Sequence, residues 1–291
     1  MQVYDPIARE ELRNRFKGRE QVTPTYIPKE PVSPEREYIR LMNQIMKIIK
    51  DSVLEELPTL EMRYAQEMRT DGIDDLDRKL KRLFAKIGEK IDKLIRAKDM
   101  RKILQSISRH GRNISVKEWK RLVHKTLGID ISEDYYKGHL MDDLMEKWVN
   151  DNVDLIKTIP QNALDEMKKI ILKGYKEGAN TKAISKEIQE AYGISKRHAQ
   201  FIARDQMAKL NADMTRKEHE DAGVTRFKWR TVGDGRVRDS HRRLNNQVFE
   251  YAKPPINERG ERILPGTDYQ CRCVAIPVLD LTSLRLPMEE K

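Results

Sequence analysis

Two periodicities divide the chain. From residue 34 to Gly223 apolar residues recur at three- and four-residue spacing, and beyond Gly223 they alternate. Tyr38, Leu41, Met42, Ile45 and Ile49 form the first helical stripe. Ser33 suits the N-cap there and Pro34 the first helical position, while Glu35 and Glu37 place acids where the helix dipole favours them. Pro58 is expected to interrupt the stripe, with "TLEMRYAQEM" as a separate segment. After "TDGIDD" a long helix is predicted, with Ile73, Leu76, Leu80, Leu83, Ile87, Ile91, Leu94 and Ile95 on one face. "HGRN" at 110–113 predicts a break. Ser115 and Glu118 of "SVKE" read as a capping box opening a helix that Gly128 ends. "YYKGHLMDDLMEKWVNDNVDLI" predicts another helix with Trp148 as a core residue, and "IPQN" a turn into a helix over 161–176. "GANTKAISKEIQEAYG" predicts a short capped helix. A long one follows in which Ala199, Ile202, Ala203, Met207, Leu210 and Met214 share a face, with Gly223 as its stop.

"VTRFKWRTV" then predicts a strand, "GDG" a turn, and "QVFEY" and "CVAIPV" two short strands, with "AKPPINERGERILPGTD" as a long irregular loop. At the other end, "VTPTYIPKEPVSP" has prolines without a hydrophobic period, the pattern of an extended arm, disordered alone or ordered on a partner. The expected fold is mostly α, with a small α+β C-terminal domain and an elongated N-terminal helical hairpin or bundle. Expected divisions are the arm at 1–33, an elongated basic helical region at 34–135, helices followed by a small β module at 136–280, and a tail at 281–291.

Composition sharpens this picture in one place. Charged residues make up 36% and hydrophobic ones 38%, polar for one compact globule and suited to extended packed helices. The net charge is +10, yet residues 78–125 alone carry seventeen Lys or Arg against four acids. So concentrated a tract suits a polyanion through counterion release. Arg78, Lys79, Lys81, Arg82, Lys86, Lys90, Lys93, Arg101 and Lys102 are the candidate nucleic-acid contacts, with a solvated helix face as the bland alternative. No apolar run reaches the roughly 18 residues of a membrane span, and the N-terminus lacks an apolar signal core. The expectation is a soluble intracellular protein with no membrane contact.

Both cysteines, Cys271 and Cys273, fall in "YQCRC". A Cys-x-Cys pair closes too small a ring for an easy disulfide. If the segment is extended, both side chains leave one face and could meet His241 on a metal. Two sulfurs and an imidazole suit zinc, with a carboxylate or water as the fourth ligand. The alternative is that two small residues pack a tight loop without cofactor. Arg236, Arg238 and Arg272 could tie loops together through their fixed fork geometry, or serve an anion site.

The ordered set "IARDQ", "FKWRTVGDGRVRDSHRRLNNQVF", "PP" and "CRCVAIP" resembles the phage Mu F-like minor head protein family, also called phage head morphogenesis proteins. The resemblance covers roughly residues 140–280 and makes 136–280 the head morphogenesis domain. It matches Arg204 to the helix arginine and Trp229 to the strand tryptophan. Asp234, Arg236, Arg238 and His241 fall on the central motif, and Cys271, Arg272, Cys273 and Pro277 on the terminal one. Asp205 and Gln206 stand where the pattern has Thr-Glu, and Asn246 where it has glycine, a residue that tolerates left-handed backbone. The resemblance implies a virion protein, not an enzyme. It would enter the procapsid near the portal, lying in the phage head interior and, during assembly, in the host cytoplasm, with portal, capsid or scaffolding proteins and packaged double-stranded DNA as partners. The competing readings are a metal-dependent nuclease built on Asp239 and His241, and a DNA-binding regulator, for which no helix-turn-helix is visible.

Overall fold

The computed structural model describes residues 12, 14–67, 73–97, 99–131 and 141–286, with the backbone alone at 60–67, 73–77, 79 and 94–97. Among these residues there are six helices and four strands: β1 (Gln21–Val22), α1 (Val32–Glu67), α2 (Ile73–Ala97), α3 (Met100–Leu127), α4 (Asp142–Lys176), α5 (Thr181–Asp221), β2 (Arg226–Arg230), α6 (Asp239–Leu244), β3 (Val248–Glu250) and β4 (Val274–Asp280). The protein is mostly α with a small α+β part. No described helix is long and apolar enough to cross a membrane.

The chain forms two compact units: residues 1–34, 108–148 and 205–291 in the first, 35–107 and 149–204 in the second. The second unit is all helical. Tyr38, Leu41, Met42, Ile45 and Ile49 are buried as their spacing predicts, and Val53 and Leu57 extend the stripe. Tyr38 carries the core's main polar tie, its hydroxyl donating to Asn152 Oδ1 at 2.7 Å. On α2, Leu80, Ile87 and Ile91 are buried together with Phe84, while Leu83 is only half-buried. The side chains of Ile73, Leu76, Leu94 and Ile95 lie outside the described residues.

Four predicted interruptions are absent. α1 runs through Pro58, whose ring faces solvent while Leu57 beside it stays buried. One proline costs a helix about 3 kcal/mol, and the buried stripe from Tyr38 to Leu57 offsets it. α4 likewise continues through Pro160, and α5 through Gly193. In α3 "HGRN" stays helical, and Gly111 faces Met207, whose methyl lies 3.6 Å from where a Cβ would stand. Ser115 and Glu118 are consequently not a capping box. Both are buried mid-helix. The predicted stops at Gly128 (φ +68°) and Gly223 (φ +76°) are present, each in the left-handed conformation glycine adopts freely.

The first unit contains the antiparallel sheet, in the order β1-β4-β2-β3. β2 pairs in register with β4 (Trp229 opposite Ala275) and with β3 (Phe227 opposite Phe249). One face packs Phe227, Trp229, Ala275 and Leu279 with Trp119, Leu122 and Val123 of α3. Pro277, which has no N–H for a ladder, sits where the outer edge of β4 has no β1 partner, since β1 covers only Leu279 and Asp280. β1 corrects the expectation for the arm: its described residues belong to the chain's own first unit. Leu12 is buried in this core, and Tyr26 Oη and Lys29 N–H both donate to Glu118 Oε2, at 2.5 and 2.9 Å.

Candidate metal centre

Three side chains separated by up to 32 residues converge behind β2. α6 is a six-residue helix held by Arg242, which reaches both Asp239 Oδ1 (2.6 Å) and the Val237 carbonyl (3.1 Å). It turns His241 inward, against the edge of Trp229 with ring centroids 5.3 Å apart. The segment entering β4 brings in the thiols. His241 Nδ1 lies 3.4 Å from Cys271 Sγ and 3.6 Å from Cys273 Sγ, and the three ligating atoms all fall within 4.8 Å of one another. Exposure is 3% for His241, 3% for Cys271 and 7% for Cys273, so all three side chains are buried. Both cysteines are free thiols.

The surrounding groups fix the chemistry of each ligand. His241 Nε2 lies 3.2 Å from Asp268 Oδ2, on the side of the ring away from the sulfurs. Asp268 is itself held by Arg259 (2.9 Å) and Arg238 (3.6 Å). A carboxylate at Nε2 sets the tautomer with its proton there, leaving the Nδ1 lone pair aimed at the thiols. Cys271 Sγ accepts two backbone N–H groups, from Gly266 and Cys273, each at 3.4 Å. Its bond from the Cys273 thiol, helped by His241, pulls its pKa well down against burial. The same bond, seen from its donor, pushes the Cys273 thiol up. The bond to Cys271 and the Asp268 carboxylate raise that of His241. The surroundings therefore favour a thiolate at Cys271 over one at Cys273.

Other motif residues tie the loops around this group. Arg272 Nη2 donates to both oxygens of Asp234 (2.7 and 2.8 Å), joining the β4 entry to the turn after β2. That guanidinium is the main reason the Asp234 pKa falls. Arg238 donates to the Tyr269 carbonyl. Arg236 binds only two residues away, on Asp234, and its side chain is exposed. Asn246 has the left-handed conformation (φ +65°) and accepts from Arg230 at 3.0 Å. Arg204 belongs to the second unit, with Glu35 at 3.6 Å. The neighbouring Asp205 belongs to the first unit. Buried, it accepts the Gln270 N–H at 2.7 Å and pairs with Lys209 at 2.6 Å, fastening the left-handed Gln270 (φ +52°) just before the cysteines.

Asp268, Arg259 and Asp205 are working parts of the site that the sequence reading missed. Asp268 stood three residues before Cys271 in "TDYQC", and that proximity was the one signal available. Of the basic tract, Arg78, Lys81, Arg82, Lys86, Lys90 and Lys93 are exposed on α2, and the Lys79 side chain lies outside the described residues. Arg101 donates to Asn150 (2.6 Å), and Lys102 pairs with Asp99 (2.8 Å).

The small α+β part is therefore a sheet and a short helix closed around a Cys-x-Cys and histidine group, braced by arginine–carboxylate pairs. Residues 165–276 match the family model described as "Phage Mu protein F like protein", and the chain carries a domain of that family. A Haemophilus influenzae protein is 32% identical over 195 residues, 67% of this chain and 43% of its own length. A Methanocaldococcus jannaschii protein is 26% identical over 210 residues, 66% of this chain and 32% of its own length. Both are described as uncharacterized, and this chain spans less than half of either. No solved structure gives a significant match.

Proposed function

We propose that this chain is a minor head protein of a tailed bacteriophage, taken into the procapsid near the portal, where it assists head assembly, DNA packaging or genome delivery. The observation that carries this reading is the phage Mu protein F-like domain over residues 165–276, a stretch that includes Trp229, Asp234, His241 and both cysteines. Portal and capsid or scaffolding proteins are the partners it implies, and packaged duplex DNA the polyanion. Arg78, Arg82, Lys86 and Lys93 fall along one face of α2, opposite the buried Leu80, Phe84, Ile87 and Ile91. A row of this kind favours sequence-independent contact with phosphates.

The reading as a structural protein and not a nuclease rests on how His241 is used. A general base must reach the water it activates, whereas here both ring nitrogens are engaged inside a buried cluster. Asp239, the other nuclease candidate, is exposed and paired with Arg242. The test is co-expression with the portal and major capsid proteins of the same phage, followed by particle purification. The chain is expected to sediment with the particles at low copy number. Particles that assemble normally and exclude it would overturn the proposal.

A further inference from the structure

We propose that Cys271, Cys273 and His241 bind one zinc ion that holds the C-terminal module closed. Asp268 orients the histidine from behind, and a solvent oxygen takes the fourth position.

The distances favour an ion over a hydrogen bond. Zn–S bonds of about 2.3 Å and a Zn–N bond of about 2.05 Å at a tetrahedral angle place sulfur and nitrogen roughly 3.6 Å apart. The two separations from Nδ1 are 3.4 and 3.6 Å. One imidazole nitrogen has a single in-plane direction, so it can make one good hydrogen bond to one sulfur. Two sulfurs at nearly equal distance instead surround a point in front of it, where a shared cation would sit. With Nε2 committed to Asp268, Nδ1 presents a lone pair, the form that binds metal.

The environment of the sulfurs agrees. Two backbone N–H groups converge on Cys271 Sγ, and a thiolate accepts such bonds far better than a thiol. Charge also balances. One divalent ion neutralises two thiolates beside a neutral histidine, while Asp268 keeps Arg259 and Arg238 as counter-ions. Burying two ligating thiolates without a cation would leave charge unpaired. Sulfur with imidazole selects zinc over the hard cations magnesium and calcium. No further His, Cys, Asp or Glu among the described residues joins the group, which leaves the fourth position to solvent.

The test uses the full chain, purified without chelator and dialysed against metal-free buffer, with zinc measured by mass spectrometry. About one zinc per chain is expected, with X-ray absorption showing two sulfur and two nitrogen or oxygen scatterers. Cys271→Ser and Cys273→Ser should each lose the metal. Because those variants could fail to fold, Asp268→Asn is the sharper probe. It retains all three ligands and should weaken zinc binding 10- to 100-fold, read by competition with a chelating dye. Stripping zinc from the wild-type chain should lower its melting temperature, and adding zinc back should restore it. A folded wild-type chain that holds under a tenth of an equivalent after incubation with zinc, and whose melting is unmoved by zinc or chelator, overturns the proposal. A four-sulfur signature would do the same, because this chain has two cysteines. Asp268→Asn with wild-type affinity would overturn the role given to Asp268.

Discussion

Glu218 should make the first unit less stable as pH rises, and Glu218→Gln should abolish that dependence. The carboxyl is fully buried near the end of α5, hydrogen-bonded to Ser115, with Oε1 lacking a partner. Burial raises its pKa from 4.5 to about 8. Below pH 4.5 both folded and unfolded chains hold the proton, and the group carries no ionisation penalty. Between pH 4.5 and about 8 the unfolded chain releases it while the folded chain does not, so stability falls as pH rises. At about 1.4 kcal/mol per pH unit the loss approaches 5 kcal/mol across that window and is about 3 kcal/mol at pH 7. Glutamine has nearly the shape of the protonated acid and cannot ionise. The variant should match the wild type near pH 5 and exceed it by a margin that grows by about 4 kcal/mol toward pH 8. His219, which burial holds neutral with its pKa near 3, adds a slope at lower pH that is common to both proteins and cancels in the difference. All three tryptophans (Trp119, Trp148 and Trp229) lie in the first unit, so urea unfolding followed by their fluorescence reports on the right region. An advantage for the variant that is the same at both pH values would refute the reasoning.

Two further outcomes can be checked directly. Replacing Arg82, Lys86 and Lys93 by glutamine should weaken duplex binding for all sequences alike and flatten the log K against log salt line by almost three units, at about 0.9 per phosphate contact; an unchanged slope would show that α2 does not carry the contact. Gly174→Ala puts a methyl 2.6 Å from Ile184 Cγ1 and 2.9 Å from its Cδ1. The overpacking outweighs the gain in helix propensity, so thermal melting followed by far-UV circular dichroism should show a loss of about 1 kcal/mol, and a variant as stable as wild type would contradict the packing described.

The helical stripes were legible because burial follows period: Tyr38 to Ile49, and Ala199 to Met214 apart from the half-buried Ile202, lie as their spacing predicted. The three C-terminal strands were legible for the same reason. Local signals misled where tertiary contacts outweighed them. Pro58 and Gly111 are ordinary breakers that long buried faces overrode, and Ser115 and Glu118 have the spacing of a cap but serve partners far away in sequence. The first bonds Glu218, and the second holds Tyr26 and Lys29. At the site, His241 and the two cysteines could be picked out by residue type alone. Asp268 and Asp205 could not, because an aspartate acquires meaning only from what it touches, here residues 27 and 65 positions away.

The two-residue strand β1 has a practical bearing on how the protein can be handled. It covers the rim of β4 through Gln21 and Val22, with the Leu281 N–H donating to the Glu20 carbonyl at 2.8 Å. A shortened version beginning at α1, or trimmed to the stretch that matches the family, would leave that rim bare with its amide groups ready to stitch onto a second molecule. Clumping of such a fragment would reflect a missing selvedge on its sheet, and is no guide to how the intact protein assembles.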